Sequence, residues 1–264
     1  MSSDLLDQLV AELPRLGAYA WSVTGDRHRA EDLAQETLAR ALERRETYRH
    51  EAPLGAWLRG ILHNLAIDQG RRQRETPRED VAALADTAWR DDSWTVDAAV
   101  VIERAETADE LRDALLALPF IYRSAVVLHD MEGLTVPVIA SIQSISLAAA
   151  KQRLRRGRMM LVTALAELKS RPLDQLPLRC WDARSQVSAY IDNELSAAKR
   201  QRLEAHLASC PTCPPIYASL VGVTAALGAL ADEAALGPNQ IQRVREALQQ
   251  RHKGDTNVGP SAAP

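Results

Sequence analysis

The sequence predicts an all-α protein made of small helical units joined by polar segments. Three observations carry that expectation. Aromatic residues make up only 4% of the 264 residues, with a single Phe, which is poor material for strands. Ala, Leu, Arg and Glu, all good helix formers, are abundant. Apolar residues recur three and four apart over long stretches, and no strand signal or internal repeat competes with them. At 46% hydrophobic and 25% charged, the chain has enough apolar surface to bury cores and does not read as disordered overall.

The elements follow in order. Ala30–Leu42 is a helix with Leu33, Thr37, Leu38 and Leu42 at helical spacing, behind a start signal at Thr24–Asp26. Pro53 opens a helix whose stripe is Leu54, Trp57, Leu58, Ile61, Leu62 and Leu65. Residues 75–110 carry 3 basic and 11 acidic groups. From Glu75 to about Asp97 there is no clear apolar period, so this stretch reads as an acidic linker. Helices are expected around Ala98–Ala117, Phe120–Met131, Leu134–Ile142 and Ser146–Leu168, and the prolines between Arg171 and Pro177 end that block. The last block offers helices near Trp181–Ile191, Ser196–Ala208, Ile216–Ala231 and Gln240–Gln249, then a disordered tail. The implied boundaries are 1–74, 75–110, 111–171, 177–250 and 251–264.

Net charge is -3, which at first argues against a nucleic-acid binder. Its distribution reverses that. Residues 1–74 hold 11 basic and 11 acidic groups, and residues 111–176 hold 9 basic and 5 acidic. Two local clusters stand out: Arg71, Arg72 and Arg74, and Lys151, Arg153, Arg155, Arg156 and Arg158. The N-terminal MSSDLLDQLV has neither a basic segment nor a long apolar run, so it does not read as a signal peptide. Three cysteines, an odd count, exclude a disulfide framework as the main stabiliser.

The block between Leu118 and Leu161 contains a helix-turn-helix pattern. Thr135 and Pro137 start a short helix with Ile139 and Ile142 facing a core. Gln143-Ser144 make the turn, and Ser146 caps a second helix that begins with small residues and then turns basic. Short side chains let a helix enter the major groove closely, and basic residues behind them reach phosphates. Leu118-Pro119, Arg123, Glu132-Gly133-Leu134-Thr135, Ile139-Ala140 and Lys151 to Arg158 together resemble region four of the extracytoplasmic-function group of bacterial sigma factors. Val136-Pro137-Val138 and Ala148-Ala149-Ala150 depart from that pattern.

Residues 19–46, with Gly25-Asp26, Ala30-Glu31-Asp32-Leu33 and Gln35-Glu36-Thr37, resemble region two of the same family. The resemblance implies that Asp32, Gln35 and Glu36 dock on the clamp helices of the polymerase beta-prime subunit. The beta flap is the partner it implies for region four. It further implies that the helix after Pro53 melts and reads the minus-ten element, with Arg59, His63 and Asn64 near the unpaired strand and Arg71 and Arg72 on phosphates. Tyr48–Leu54 matches the segment that sets minus-ten preference. In region four, Ser146, Lys151, Arg153, Arg155 and Arg156 are the expected contacts to duplex minus-thirty-five DNA. The acidic linker is implied to thread through the polymerase channel.

His206, Cys210 and Cys213 form H-x3-C-x2-C. His206 and Cys210 share a helix face, and Cys213 follows a Pro-Thr turn, a spacing that suits Zn2+. Cys180 supplies the fourth ligand if a helix pair folds back. Val187–Asp192, Glu194-Leu195-Ser196 and Ala205-His206-Leu207 resemble the zinc-binding anti-sigma domain, normally a separate protein. Its presence here on one chain implies a promoter-selective factor regulated in cis, cytoplasmic and not itself an enzyme. Zinc as a sensor and zinc as a structural ion both stay open. The alternatives are a metal- or redox-responsive DNA-binding regulator and an anti-sigma-type scaffold. Ile216–Ala231 is uncharged over its length but shorter than a roughly 20-residue span, so a packed helix is expected there, not a membrane segment.

Overall fold

The computed structural model describes residues 3–48, 52–73, 79–166, 169–170, 180–233 and 238–256. In chain order the helices are α1 (Ser3–Thr24), α2 (Arg27–Glu43), α3 (Leu54–Gln73), α4 (Glu79–Arg90), α5 (Ala98–Glu106), α6 (Ala108–Ala117) and α7 (Phe120–Val126). They continue with α8 (Val136–Ile142), α9 (Leu147–Leu165), α10 (Cys180–Arg184), α11 (Val187–Ile191), α12 (Ala197–Ser209), α13 (Cys213–Glu233) and α14 (Pro238–Thr256). Among the described residues the extended structure is one antiparallel pair, β1 (Trp94–Thr95) with β2 (Lys169–Ser170), Trp94 opposite Ser170. The chain divides into two compact units. One is Met1–Arg74, Ser141–Gln143 and Glu233–Pro264; the other is Glu75–Ala140 and Ser144–Asp232.

In the first unit α1, which the sequence reading leaves unassigned, buries Leu9, Leu13, Leu16, Tyr19, Ala20 and Val23 along one side. Pro14 inside it forfeits a backbone hydrogen bond without ending the helix. Gly25, at φ +70, donates back to the Trp21 carbonyl and closes α1 in the left-handed conformation glycine adopts without strain. Asp26 then caps α2, accepting from the Arg29 amide at 2.9 Å. Leu33 and Leu38 of α2 and Leu58, Leu62 and Leu65 of α3 complete the core. α14 packs on α1 and α2, burying Val244. Residues 251–256, expected to be disordered, belong to this helix, and the remainder of that tail lies outside the described residues.

The second unit is centred on α9. Its buried stripe Ala150, Leu154, Gly157, Leu161 and Leu165 has the spacing of one helix face. α7 lies against it so closely that a Cβ at Gly157 would sit 3.0 Å from the Tyr122 carbonyl oxygen. Ser146 caps α9 by accepting from the Ala149 amide at 3.2 Å. Leu118, extended before Pro119, ends α6, and buried Arg123 donates to its carbonyl. Two expected helices are each broken in two. Ala98–Ala117 breaks at extended Thr107, and Trp181–Ile191 breaks at Ser185-Gln186.

The acidic linker is the main correction. Its middle is helix α4, packed on α9, followed by β1. The helix buries Ala85, Ala88 and Trp89, and the Trp89 indole donates to Thr163 at 3.2 Å. Among the described side chains the stripe is Ala85, Ala88 and Trp89, and Val81 and Leu84 precede them at helical spacing, so the apolar period is present and the surrounding acidic residues drew the linker reading instead. The break at 171–177 lies outside the described residues.

Candidate metal centre and nucleic-acid interface

α10 begins at Cys180, α12 carries His206 in its last turn, and α12 and α13 bracket the Pro211-Thr212 turn. This geometry brings Cys180, His206, Cys210 and Cys213 together, all buried, with ligand atoms within 4.8 Å of one another. Cys180 Sγ lies 3.7 Å from Cys210 Sγ, and His206 Nε2 lies 3.2 Å from Cys213 Sγ. A tetrahedral ion with Zn–S of about 2.3 Å has edges of about 3.8 Å, so three thiols and an imidazole at this spacing fit Zn2+. The expected fourth ligand, Cys180, is at the cluster.

Burial pushes the Cys180 thiol up to about 12 and raises Cys213 as well. Burial also raises Cys210, but hydrogen bonds from Thr212 outweigh it and bring the thiol below its usual range. Burial, then the nearby Arg184 charge, lowers His206, which favours the neutral imidazole that a metal needs. Ion capture therefore displaces protons from thiols. His206 Nδ1 is buried without a hydrogen-bond partner.

Around the cluster runs a layer the sequence reading does not single out. Arg184, buried at 1% exposure, donates to Cys213 Sγ at 3.4 Å and to Thr212 Oγ1 at 3.2 Å. It also donates to the carbonyls of Trp89, Asp91 and Trp94. Asp92 accepts from the Cys180 amide through Oδ1 at 3.0 Å and from the Thr212 hydroxyl through its carbonyl. Arg184 stands four residues after Cys180, one turn along, which hints at its side but not at its partners.

The basic face of α9 is already engaged. Lys151 pairs with Glu194 at 2.8 Å. Arg155 lies over the Trp181 ring at 5.2 Å, and Arg90 covers the same ring at 4.4 Å. Arg156 pairs with Asp86 of α4 at 3.2 Å. Arg158 is 1% exposed and bonds Asp130, Asp192 and the Ser188 hydroxyl. Arg153 is partly exposed, and Ser146 is exposed at the helix start, its hydroxyl used as the cap.

In the first unit Asn64 is exposed on α3, as expected, but Arg59 and His63 are not on an open face. Arg59 donates to the Gly55 carbonyl and pairs with Glu12 of α1 at 3.6 Å, while His63 Nδ1 is 3.4 Å from the Tyr19 hydroxyl. They follow Leu58 and Leu62 by one residue each, so they flank the buried arc and are covered by α1. Arg71 and Arg72 close α3, and their side chains lie outside what is described. Trp57 stacks on Tyr48 at 5.0 Å and is half-buried. On α2, Asp32 is exposed; Gln35 and Glu36 are partly exposed, with Glu36 paired to Arg40. Nearby Glu31 takes Arg243 of α14 in a two-pronged pair.

Three sequence families match, in chain order: Sigma-70 region 2 at residues 9–76, Sigma-70, region 4 at 108–161, and a family described as "Putative zinc-finger" at 180–213. Regions two and four define a sigma-70-type transcription initiation factor. The sigma factor EcfG of Rhodopseudomonas palustris is 31% identical over 62% of this chain and 87% of its own length. SigE of Mycolicibacterium smegmatis is 32% identical over 62% of this chain and 63% of its own. A solved sigma factor RpoE from Bartonella quintana, in complex with the anti-sigma factor NepR, covers 62% of this chain at 25% identity, with a TM-score of 0.46. The chain belongs to the extracytoplasmic-function RNA polymerase sigma factors and carries a zinc-finger-type region after the sigma regions. As a sigma factor it is a DNA-binding initiation factor that directs core RNA polymerase to promoters.

Proposed function

We propose that this sigma factor is restrained by its own C-terminal region, held in shape by zinc. The observation that carries the reading is the occupation of α9. Lys151, Arg155, Arg156 and Arg158, cations that a recognition helix needs for phosphates, are taken by Glu194, Trp181, Asp86, Asp130 and Asp192. Glu194, Trp181 and Asp192 belong to the zinc-type region. A helix whose cations are neutralised in cis binds duplex DNA weakly.

When released, α9 reads the minus-thirty-five duplex with Ser146, Lys151, Arg153, Arg155 and Arg156. Asn64, with Arg71 and Arg72, serves the melted minus-ten strand. Asp32, Gln35 and Glu36 dock on the beta-prime clamp helices, and the beta flap receives region four. α14, held to α2 by Arg243 and Glu31, lies on the helix that carries that docking face. Cys180, His206, Cys210 and Cys213 hold Zn2+ in a closed four-ligand set that fixes the fold of this region and leaves no open position for chemistry. The protein acts in the cytoplasm, where polymerase and promoters are. Cys213–Ala231 is the one helix among the described residues long and apolar enough to cross a membrane. Its buried Ile216, Leu220, Val223, Leu227 and Leu230 follow one helix face, which supports a packed role.

In vitro transcription with core polymerase tests the proposal, comparing the full chain with a chain ending at Leu176, with and without zinc. Truncation is expected to raise promoter-specific transcript several-fold. Equal or lower output from the truncated protein overturns autoinhibition.

A further inference from the structure

We propose that Arg184 couples the interdomain linker to the metal cluster, so that the order of residues 89–95 depends on metal occupancy. The inference rests on reading the four-residue cluster as a metal site. Arg184 has hydrogen-bond partners on both sides. Toward the cluster it meets Cys213 Sγ and the Thr212 hydroxyl. Away from it, its two terminal nitrogens hold the carbonyls of Trp89, Asp91 and Trp94, at 3.2, 2.7 and 2.8 Å. Trp89 lies at the end of α4, Asp91 in the turn that follows and Trp94 in β1. Within the turn the Trp94 amide donates to the Asp91 carbonyl, and Arg184 adds bonds from outside it.

Further bonds join the same two partners. Asp92 accepts from the Cys180 amide, the Thr212 hydroxyl donates to the Asp92 carbonyl, and the Thr95 hydroxyl donates to the Thr212 carbonyl. Residue Cys180 and Thr212, one of the two residues between Cys210 and Cys213, are thus bonded directly to the linker.

Charge explains why the coupling responds to the ion. Three thiolates and a neutral imidazole around a divalent cation carry one net negative charge, and buried Arg184 carries one positive charge beside it. Metal and linker are therefore held through the same guanidinium. Without the ion the cation loses the negative charge of the cluster and keeps dipoles, the Trp94 ring and the weaker pull of the Asp91 carboxylate, and a buried cation that loses counter-charge moves toward water. Arg184 leaves the linker carbonyls, and the turn that joins α4 to β1 comes loose. Arg184 is a positioning residue here and need not ligate anything.

Hydrogen–deuterium exchange on the full chain reads this directly, with zinc content measured on the same samples. Removing zinc with a chelator is expected to speed amide exchange across 89–95 at least tenfold, with α1–α3 unchanged. Arg184→Gln, still carrying one zinc per chain, is expected to exchange fast over 89–95 before any chelation, and Arg184→Lys to fall between. Thr95→Val, a milder change at the far side, should loosen 94–96 with zinc retained. Wild-type protection of 89–95 in zinc-loaded Arg184→Gln overturns the proposal, as does unchanged protection in wild-type protein shown to have lost its zinc. A chain that binds no zinc at all overturns instead the metal reading beneath it. None of these readouts depends on whether truncation raises transcription.

Discussion

Two arginine–carboxylate contacts tie C-terminal residues to sigma regions, and they differ in kind. Arg158 of α9 sits between Asp130 and Asp192, with side-chain exposures of 2%, 3% and 11%. Arg243 of α14 meets Glu31 on α2 with its own side chain 56% exposed. The first is a buried network, with the Ser188 hydroxyl accepting from the guanidinium and His129 Nδ1 donating to Asp130. The second joins an exposed guanidinium to a carboxylate that is itself only 11% exposed. A buried network is costly to break from one side because the remaining charge is stranded, whereas a pair with one solvent-exposed partner is better screened and costs less to break. The zinc-type region is therefore held firmly on region four, while α14 is held on region two by a contact that a competing protein surface can displace.

The largest break expected is Arg158→Ala. It leaves two buried carboxylates facing each other and should cost about 3–5 kcal/mol, read as a lower urea midpoint. Asp192→Asn keeps Asp130 on the guanidinium and removes one charged partner. It should cost about 1.5–3 kcal/mol and raise the affinity of the full chain for minus-thirty-five duplex.

Acid sharpens the same contrast. Burial alone would raise the Asp130 carboxyl, but hydrogen bonds from His129 and Arg158 and the guanidinium charge hold it below its usual value. A carboxyl depressed in the folded state adds stability above its unfolded pKa of about 3.9 and loses it as pH falls through the folded value. Between pH 5 and pH 3 the wild type should lose stability more steeply than Arg158→Met, measured by urea midpoints. Glu31, lowered by its hydrogen bonds from Arg243, has the same sign. The smallest structural effect is expected for Arg243→Ala, with a drop in midpoint smaller than that of Asp192→Asn. Its signature is faster amide exchange in α14 and a few-fold gain in affinity for core polymerase.

Much of the fold was legible locally. The capping of α2 by Asp26 and of α9 by Ser146, and the Leu58, Leu62 and Leu65 stripe, are short-range patterns. His206, Cys210 and Cys213 sit within eight residues of one another, so their convergence follows from one helix and one turn. Helix α4 was legible in the spacing of Val81, Leu84, Ala85, Ala88 and Trp89, but the density of acidic residues around it reads as a linker. Arg59 and His63 were misplaced because composition marks them as polar, while only the packing of α1 shows which flank of α3 is covered.

The sequence by itself determined the helical class, the helix-turn-helix, the His206, Cys210 and Cys213 motif and the family, while the arrival of Cys180 needed the fold. Each depends on residue type at short spacing, where helix geometry alone sets which side chains share a face. Only the tertiary structure decided which charges are spoken for. Lys151, Arg155 and Arg156 read as free DNA-binding cations until Glu194, Trp181 and Asp86 come up against them from distant segments. Arg184 reads as one more surface charge until the linker carbonyls close around it. The energy of a charge is set by its partners and its burial, and neither is a property of spacing along the chain.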